Sequence, residues 1–197
     1  NPVSETLHFT LTEQKIPQEP FKKLLDAFRM DVNFRQPGNM DDLFFYCMHS
    51  ANPVGELVLR LFDLYNKKTA PLSDKICTAL QLTNFWQDLS LDIKNGRIYI
   101  PKEFLKTCLG EQKLLLNDEN CLKLLPCLES LYDITENLFN EGKELNHFLR
   151  PLRVKMEIKL TIEGGLSVLH KTRKLKEKIF IQRPRLFKKD YLNILFR

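Results

Sequence analysis

No window of the sequence holds eighteen uninterrupted apolar residues, which excludes a bilayer-spanning helix and leaves any membrane contact peripheral. Strand-like alternation with hairpin turn signals is missing as well, so a sheet has little to build on. Seven glycines and ten prolines in 197 residues are too few for a linker-rich or repetitive chain. The five cysteines (Cys47, Cys77, Cys108, Cys121, Cys127) are odd in number and lack CxxC spacing. Several fall in apolar helical patterns, where a reduced cysteine behaves as a small hydrophobe, so a reducing cytoplasm is the expected location. The four histidines are scattered, none paired at i,i+3 or i,i+4, and a zinc site therefore has no ligand set. A glycine-rich dinucleotide fingerprint is also absent. The chain opens on Asn1, and "NPVSETLHFTLTEQKIP" has neither a charged n-region nor an apolar stretch of signal-peptide length. The native start is expected to lie upstream.

What is present is an apolar fraction of 43%, enough for one domain spanning residues 1–197. Charge is uneven. From His170 to Arg197 there are ten Lys or Arg against two acids, a net of +8 out of a total of +5, so the basic character belongs to the tail, about 170–197. Apolar residues recur at helical spacing nearly throughout. "EPFKKLLDAFRM" aligns Phe21, Leu24, Leu25 and Phe28 on one face behind Pro20. A long helix over 41–64 is interrupted by "NPVG", which predicts a kink near Asn52 because proline removes a backbone donor. Ser73 is the expected N-cap of the next helix, which runs to about Lys94. A short helix follows Pro101, then long helices over about 120–149 and 151–178, and a basic amphipathic piece closes the chain. Antiparallel helices with short connections predict an all-α bundle.

One stretch carries the chemistry. In "LQLTNFWQDLSLDIKNGRIYIP" (80–101), Asn84, Asp88 and Asp92 fall at i, i+4 and i+8, about 40° apart around a helix, with Gln81 one turn earlier. No Lys or Arg shares that stripe, and like charges at this spacing destabilise a helix by a few tenths of a kcal/mol. A solvated acidic face is one reading. The other starts from the apolar remainder of the helix (Ile76, Leu80, Leu82, Phe85, Trp86, Leu89), which turns the stripe toward a cavity. A buried carboxylate pair needs a cation, and one or two carboxylates completed by water and phosphate are what Mg²⁺ takes.

These residues resemble the squalene and phytoene synthase family. The quoted stretch is similar to its second aspartate-rich motif, "YCMHSANPVG" (46–55) to the preceding helix, and "IEGGLSVLHK" with "IFIQRPRL" to its C-terminal end. The forms "SANPVG" and "NFWQD" are most like the bacterial hydroxysqualene synthase type of hopanoid biosynthesis. The resemblance implies a helical bundle of the isoprenoid synthase type around a central apolar cavity, acting on C15-derived prenyl diphosphates, farnesyl or presqualene diphosphate. By that analogy Asp88 and Asp92 bind Mg²⁺ and thereby the diphosphate, with Gln81 and Asn84 on the same wall. Tyr46 and Tyr99 match aromatic positions near the reacting centre. Ser50, Ala51, Val54 and Gly55 match the kinked segment lining a prenyl channel, with Val58, Phe62, Ile76 and Leu80 deeper in it. Arg29, Asp31 and Arg35 are weaker candidates for diphosphate or ion-pair contacts. Aromatic faces such as Tyr46 and Phe45 suit a carbocation, each by roughly 0.5–2 kcal/mol.

Three departures matter. The first aspartate-rich motif of the family has no counterpart in this sequence, so the chain reads as the C-terminal portion of the fold and as half a site. Gln87 stands where many phytoene-type members carry Arg, so a cationic diphosphate contact is lost or comes from elsewhere. Around Lys176–Lys178 the tyrosine frequent in relatives is missing. The expected reaction is conversion of presqualene diphosphate to hydroxysqualene. The alternative is a catalytically silent member acting as a partner or assembly protein. The basic tail suggests contact with the inner face of a membrane, or merely a solvated helix packed on the bundle, and no nucleic-acid-binding signature accompanies it.

Overall fold

The computed structural model describes residues 2–110 and 118–195, and helices dominate them. In chain order these are α1 (Pro2–Glu13), α2 (Glu19–Val32), α3 (Met40–Ser50), α4 (Asn52–Leu61), α5 (Thr69–Gln87), α6 (Leu89–Lys94), α7 (Lys102–Leu109), α8 (Asp118–Gly142), α9 (Leu152–Lys174) and α10 (Lys188–Leu195), with 3₁₀ turns at Lys143–His147 and Lys176–Phe180. The expected all-α bundle is therefore what forms. The fold organises around α5, which packs against α8, α4 and α9. A helix that is apolar on most sides belongs in the middle, and Ile76, Ala79, Leu82, Phe85 and Trp86 of α5 are all buried. The indole Nε1 of Trp86 donates to Thr135 Oγ1 on α8 at 2.9 Å, and Thr135 donates in turn to Leu131 O at 2.7 Å. The polar atom of the largest core side chain is thus satisfied where water cannot reach.

The break at "NPVG" is real. Helix α3 ends at Ser50, Pro53 occupies the first turn of α4, and the Thr78 hydroxyl of α5 donates to Asn52 Oδ1 at 3.0 Å, pinning the joint. Ser73, in contrast, does not cap α5. That helix begins at Thr69, where the Asn66 side chain accepts from the backbone N–H groups of Lys68 and Thr69. Pro71 fits the first turn of the earlier start, and Ser73 is buried beneath Gly55 of α4. The helix also ends before Lys94: α5 stops at Gln87, Asp88 lies between segments, and α6 carries the chain onward. The long C-terminal helices are shorter than expected, each closing in a 3₁₀ turn.

The cysteines correct a second expectation. Packing of α7 on α8 brings the Cα atoms of Cys108 and Cys127 to 6.6 Å, and the two are joined as a disulfide, whereas Cys47, Cys77 and Cys121 are free. Among the described residues no helix is long and apolar enough to cross a membrane.

Close approach of α8 to α5 depends on Gly142. A Cβ there would lie 2.6 Å from Ile76 Cγ1 and 3.3 Å from both Ile76 N and Leu72 O, and those backbone atoms cannot yield. Overpacking of this kind costs about 1–3 kcal/mol, which outweighs the gain of up to about 1 kcal/mol that alanine brings to a helix. Gly142→Ala is therefore expected to lower the free energy of unfolding measured in urea, and an unchanged or raised value would show that α8 and α5 can separate freely.

Candidate active site

The site grows from the end of α5. Trp86 is locked in the core, and two residues later the chain leaves the helix at Asp88, whose N–H still bonds Asn84 O at 2.9 Å. Helix α6 restarts at once, with the Asp92 N–H on Asp88 O at 2.9 Å, so the two carboxylates stay one turn apart despite the break. Asn95 and Gly96 then turn the chain, Gly96 with φ of +75°, a conformation that glycine adopts without strain. The turn delivers Arg97 and Tyr99 back beside α5.

Tyr99 stacks on Phe85 of α5 with ring centroids 3.8 Å apart and planes at 13°. Tyr46 of α3 completes the group, its ring 5.8 Å from Phe85 and 6.3 Å from Tyr99. The Tyr46 hydroxyl donates to Asp31 Oδ1 at 2.8 Å, and Arg97 Nη2 donates to the Asp31 carbonyl at 3.3 Å. Burial, followed by the hydrogen bond and charge of Asp31, holds the Tyr46 hydroxyl well above the usual tyrosine range. Tyr99 is raised by burial too, then by the charge of Asp31, with Arg97 opposing. Both phenols remain protonated at neutral pH, so each presents a donor and an aromatic face.

The acidic stripe is not left without a cation. Arg183, 95 residues further along the chain, reaches Asp88 with its guanidinium fork, Nε to Oδ1 and Nη2 to Oδ2, the latter at 3.3 Å. The next residue is held by Gln87, whose Nε2 donates to Pro184 O at 2.9 Å. The expected free stripe is thus corrected: the neutralising charge comes from the C-terminal segment. Asp92 is half-buried and its carboxyl lies above the ordinary value, raised by burial first and by Asp88 second, while Arg97 and Arg183 pull the other way.

A cavity of about 760 Å³ opens beside the aromatic group, between α2, α3 and the segment after Tyr99. Arg29, Arg35 and Lys102 line it together with Tyr46, Tyr99 and Phe45. The loop after α2 is fixed there by Gln36 Nε2 on Ile100 O at 2.9 Å and Lys102 N on Pro37 O at 2.9 Å. The expected site residues therefore divide. Tyr46 and Tyr99 line the cavity together, while Asp88 and Asp92 lie outside its lining, Asp92 acting on Tyr99 through its charge, with half-buried Gln81 and exposed Asn84 on the preceding turns of α5. Ser50 and Ala51 are half-buried at the α3–α4 joint. Gly55 packs against Ser73 and Cys77, and Ile76 is in the core under Gly142. Val58 and Leu80 are half-buried, whereas Val54 and Phe62 are exposed. Reasoning from helical spacing overlooked Arg97 and Arg183. Both stand inside stretches quoted for their resemblance, yet neither lies on the acidic stripe.

Residues 1–190 match the squalene/phytoene synthase family. The chain belongs to that family. The hydroxysqualene synthase of Sinorhizobium fredii is 32% identical over 186 residues, which cover 90% of this chain and 63% of the relative. The hydroxysqualene synthase of Rhodopseudomonas palustris is 31% identical, covering 80% and 54%. The crystal structure of squalene synthase HpnC from Alicyclobacillus acidocaldarius superposes with a TM-score of 0.81 at 34% identity, over 89% of this chain and 66% of that one. This chain of the squalene/phytoene synthase family thus spans less than two thirds of these relatives.

Because burial and Asp88 raise the Asp92 carboxyl above its ordinary 3.8, the folded state holds that proton more tightly than the unfolded chain does. The stability contributed by this group is then fully present below pH 3.8 and falls as pH rises through the raised value. In metal-free protein, Asp92→Asn is expected to raise the thermal unfolding midpoint at pH 7 and leave it unchanged near pH 3. A lower midpoint at pH 7 would mean that the carboxylate is fully compensated without a metal.

Proposed function

We propose that this chain forms the diphosphate-ionising half of an enzyme that acts on C15-derived prenyl diphosphates and converts presqualene diphosphate to hydroxysqualene. The observation that carries the reading is the Asp88–Asp92 pair whose charge, through Asp92, acts on Tyr99 of the Tyr46–Phe85–Tyr99 group, while Tyr46 and Tyr99 line a neighbouring cavity with Arg29, Arg35 and Lys102 that neither carboxylate lines. Relatives named hydroxysqualene synthase support the choice of reaction.

Whether the residues suit Mg²⁺ is tested by the donor set. Two carboxylates on adjacent turns offer hard oxygens, and the Asp92 carboxyl, raised by burial and then by the charge of Asp88 despite Arg97 and Arg183, is the one that a further cation would relieve. Among the described residues no group of three or more His, Cys, Asp or Glu is placed to hold an ion unaided. Mg²⁺ would need to take one or two carboxylates and fill its remaining positions with water and phosphate. Asp88 and Asp92 would hold it. When bound, Mg²⁺ supplies neutralisation of the charge that develops on the departing diphosphate.

The chain's own residues supply the rest. Arg29, Arg35 and Lys102 add positive potential at the cavity for an anionic substrate. As the C–O bond breaks, the electron pair leaves with the diphosphate and a carbocation remains. The rings that line the cavity, Tyr46, Tyr99 and Phe45, would stabilise it, each by roughly 0.5–2 kcal/mol, without a nucleophile that would trap it, and Phe85 backs Tyr99 from the core. Both phenols stay protonated, which withholds the phenolate that would add to the cation. Opening of the cyclopropane ring is followed by attack of one water, which forms the new C–O bond and loses its second proton to solvent. The sum is presqualene diphosphate plus water giving hydroxysqualene plus diphosphate.

A second reading, a silent partner protein, draws on the pairing of Asp88 with Arg183, which meets the charge without a metal. A peripheral membrane contact would rest on α10, where exposed Phe187, Tyr191 and Leu192 adjoin Lys188 and Lys189. The deciding experiment supplies the full-length protein and Mg²⁺ with presqualene diphosphate and, separately, farnesyl diphosphate, with products identified by mass spectrometry. Hydroxysqualene from presqualene diphosphate is expected. Asp88→Ala or Asp92→Ala should reduce turnover by more than the roughly 10–100-fold typical of losing an outer-sphere partner, with helical circular dichroism unchanged. A folded protein inert toward both substrates would favour the silent partner.

A further inference from the structure

We infer that Arg183 is the resident counter-ion of Asp88 and is exchanged for the divalent cation, so that Asp88 binds one or the other. The inference rests on the proposed metal role of Asp88. Its own support is geometric. The guanidinium spans both oxygens of Asp88 and so occupies the inner lone pair of each, the edge at which a carboxylate chelates a metal, leaving only the outer pairs. An ion that takes that inner edge therefore displaces the fork, and one approaching the outer edge still meets the repulsion of the guanidinium charge.

The Arg183 side chain is 35% exposed, whereas that of Asp88 is 19% exposed, so the carboxylate is the fixed partner and the arginine the movable one. The tether is also built to keep the guanidinium near after release. Gln87 Nε2 holds Pro184 O at 2.9 Å, Lys171 Nζ donates to Arg185 O at 3.2 Å, and Lys171 pairs with Asp190 at 2.5 Å. These contacts fix the backbone at residues 184 and 185, just after Arg183, and none of them engages the Arg183 side chain. A displaced guanidinium would remain close to Asp88, where the same fork that fitted two carboxylate oxygens could take two oxygens of a phosphate. One residue would thus stabilise the empty site and afterwards grip the anion.

Binding of Mn²⁺, followed by electron paramagnetic resonance on the full-length protein, tests this without recourse to turnover. With Mn²⁺ alone, Arg183→Gln is expected to bind the ion about tenfold or more tightly than the natural protein, because no cation need be displaced. With Mn²⁺ plus inorganic pyrophosphate the order should reverse, the variant holding the anion about tenfold less tightly. Arg183→Lys keeps the charge but not the fork and should fall between, which separates lost competition from a general disturbance of the segment. Unchanged or weaker Mn²⁺ binding by Arg183→Gln, in protein whose circular dichroism is normal, would overturn the exchange while leaving the metal site standing. If neither the natural protein nor the variants bind Mn²⁺ even with pyrophosphate, the metal reading fails and the exchange fails with it.

Discussion

A half-buried carboxylate pair at the end of the most deeply buried helix is the constraint around which the rest of the site is arranged. Two like charges one helical turn apart, about 6 Å, repel by roughly 3 kcal/mol at an effective dielectric of about 20. Neither can retreat. Asp88 follows Trp86, whose ring is fully buried and tied to Thr135, so the backbone that presents it is fixed by core packing. What the fold can adjust is the surrounding charge, and it does so from two directions. Arg97 approaches from the turn after α6, and Arg183 from the far end of the chain.

The same anchoring explains how the aromatic group comes together. Phe85 is on α5, Tyr46 on α3 and Tyr99 in the connection to α7, so three separate elements must dock before the rings meet. The break at Ala51 lets α3 and α4 take different directions over α5, and the Thr78–Asn52 hydrogen bond fixes where the change of direction occurs. Asp31 at the end of α2 then sets the orientation of Tyr46 through a single hydrogen bond. A surface that must face a reactive cation benefits from rings whose rotamers are locked by packing rather than selected at the moment of binding.

How much of this was legible in the sequence differs by element. The helices and the kink at Pro53 were readable because apolar spacing and proline act locally, within a turn or two. The pairing of Asp88 with Asp92 was readable for the same reason. The start of α5 was not, since Ser73 looks like a cap and only the buried contact with Gly55 shows why a small polar residue stands there. The Cys108–Cys127 bridge was hidden because it follows from the packing of α7 on α8, and spacing alone does not reveal that. Arg183 was hidden most completely. A contact across 95 residues leaves no trace in periodicity, and the absence of a cation on the stripe signalled a missing partner without saying whence it would come.

That origin has a consequence for how the site is assembled. Gln87, at the position where related sequences often carry a cationic side chain, here holds the backbone next to a cation that lies elsewhere. Position 87 thus contributes tethering and position 183 contributes charge. The segment bearing Arg183 is in turn fastened by buried Ile179 and Phe180, and by the Lys171–Asp190 pair that binds α10 to α9. Closing a loop of that length costs entropy that grows only slowly with the number of residues, so recruiting the counter-ion from the C-terminal end is little dearer than recruiting it locally. What the fold gains is dependence: the acidic pair reaches its neutralised state only once the last helices have docked. The carboxylate pair is therefore compensated by a segment distant in sequence, which the burial of Ile179 and Phe180 brings to it.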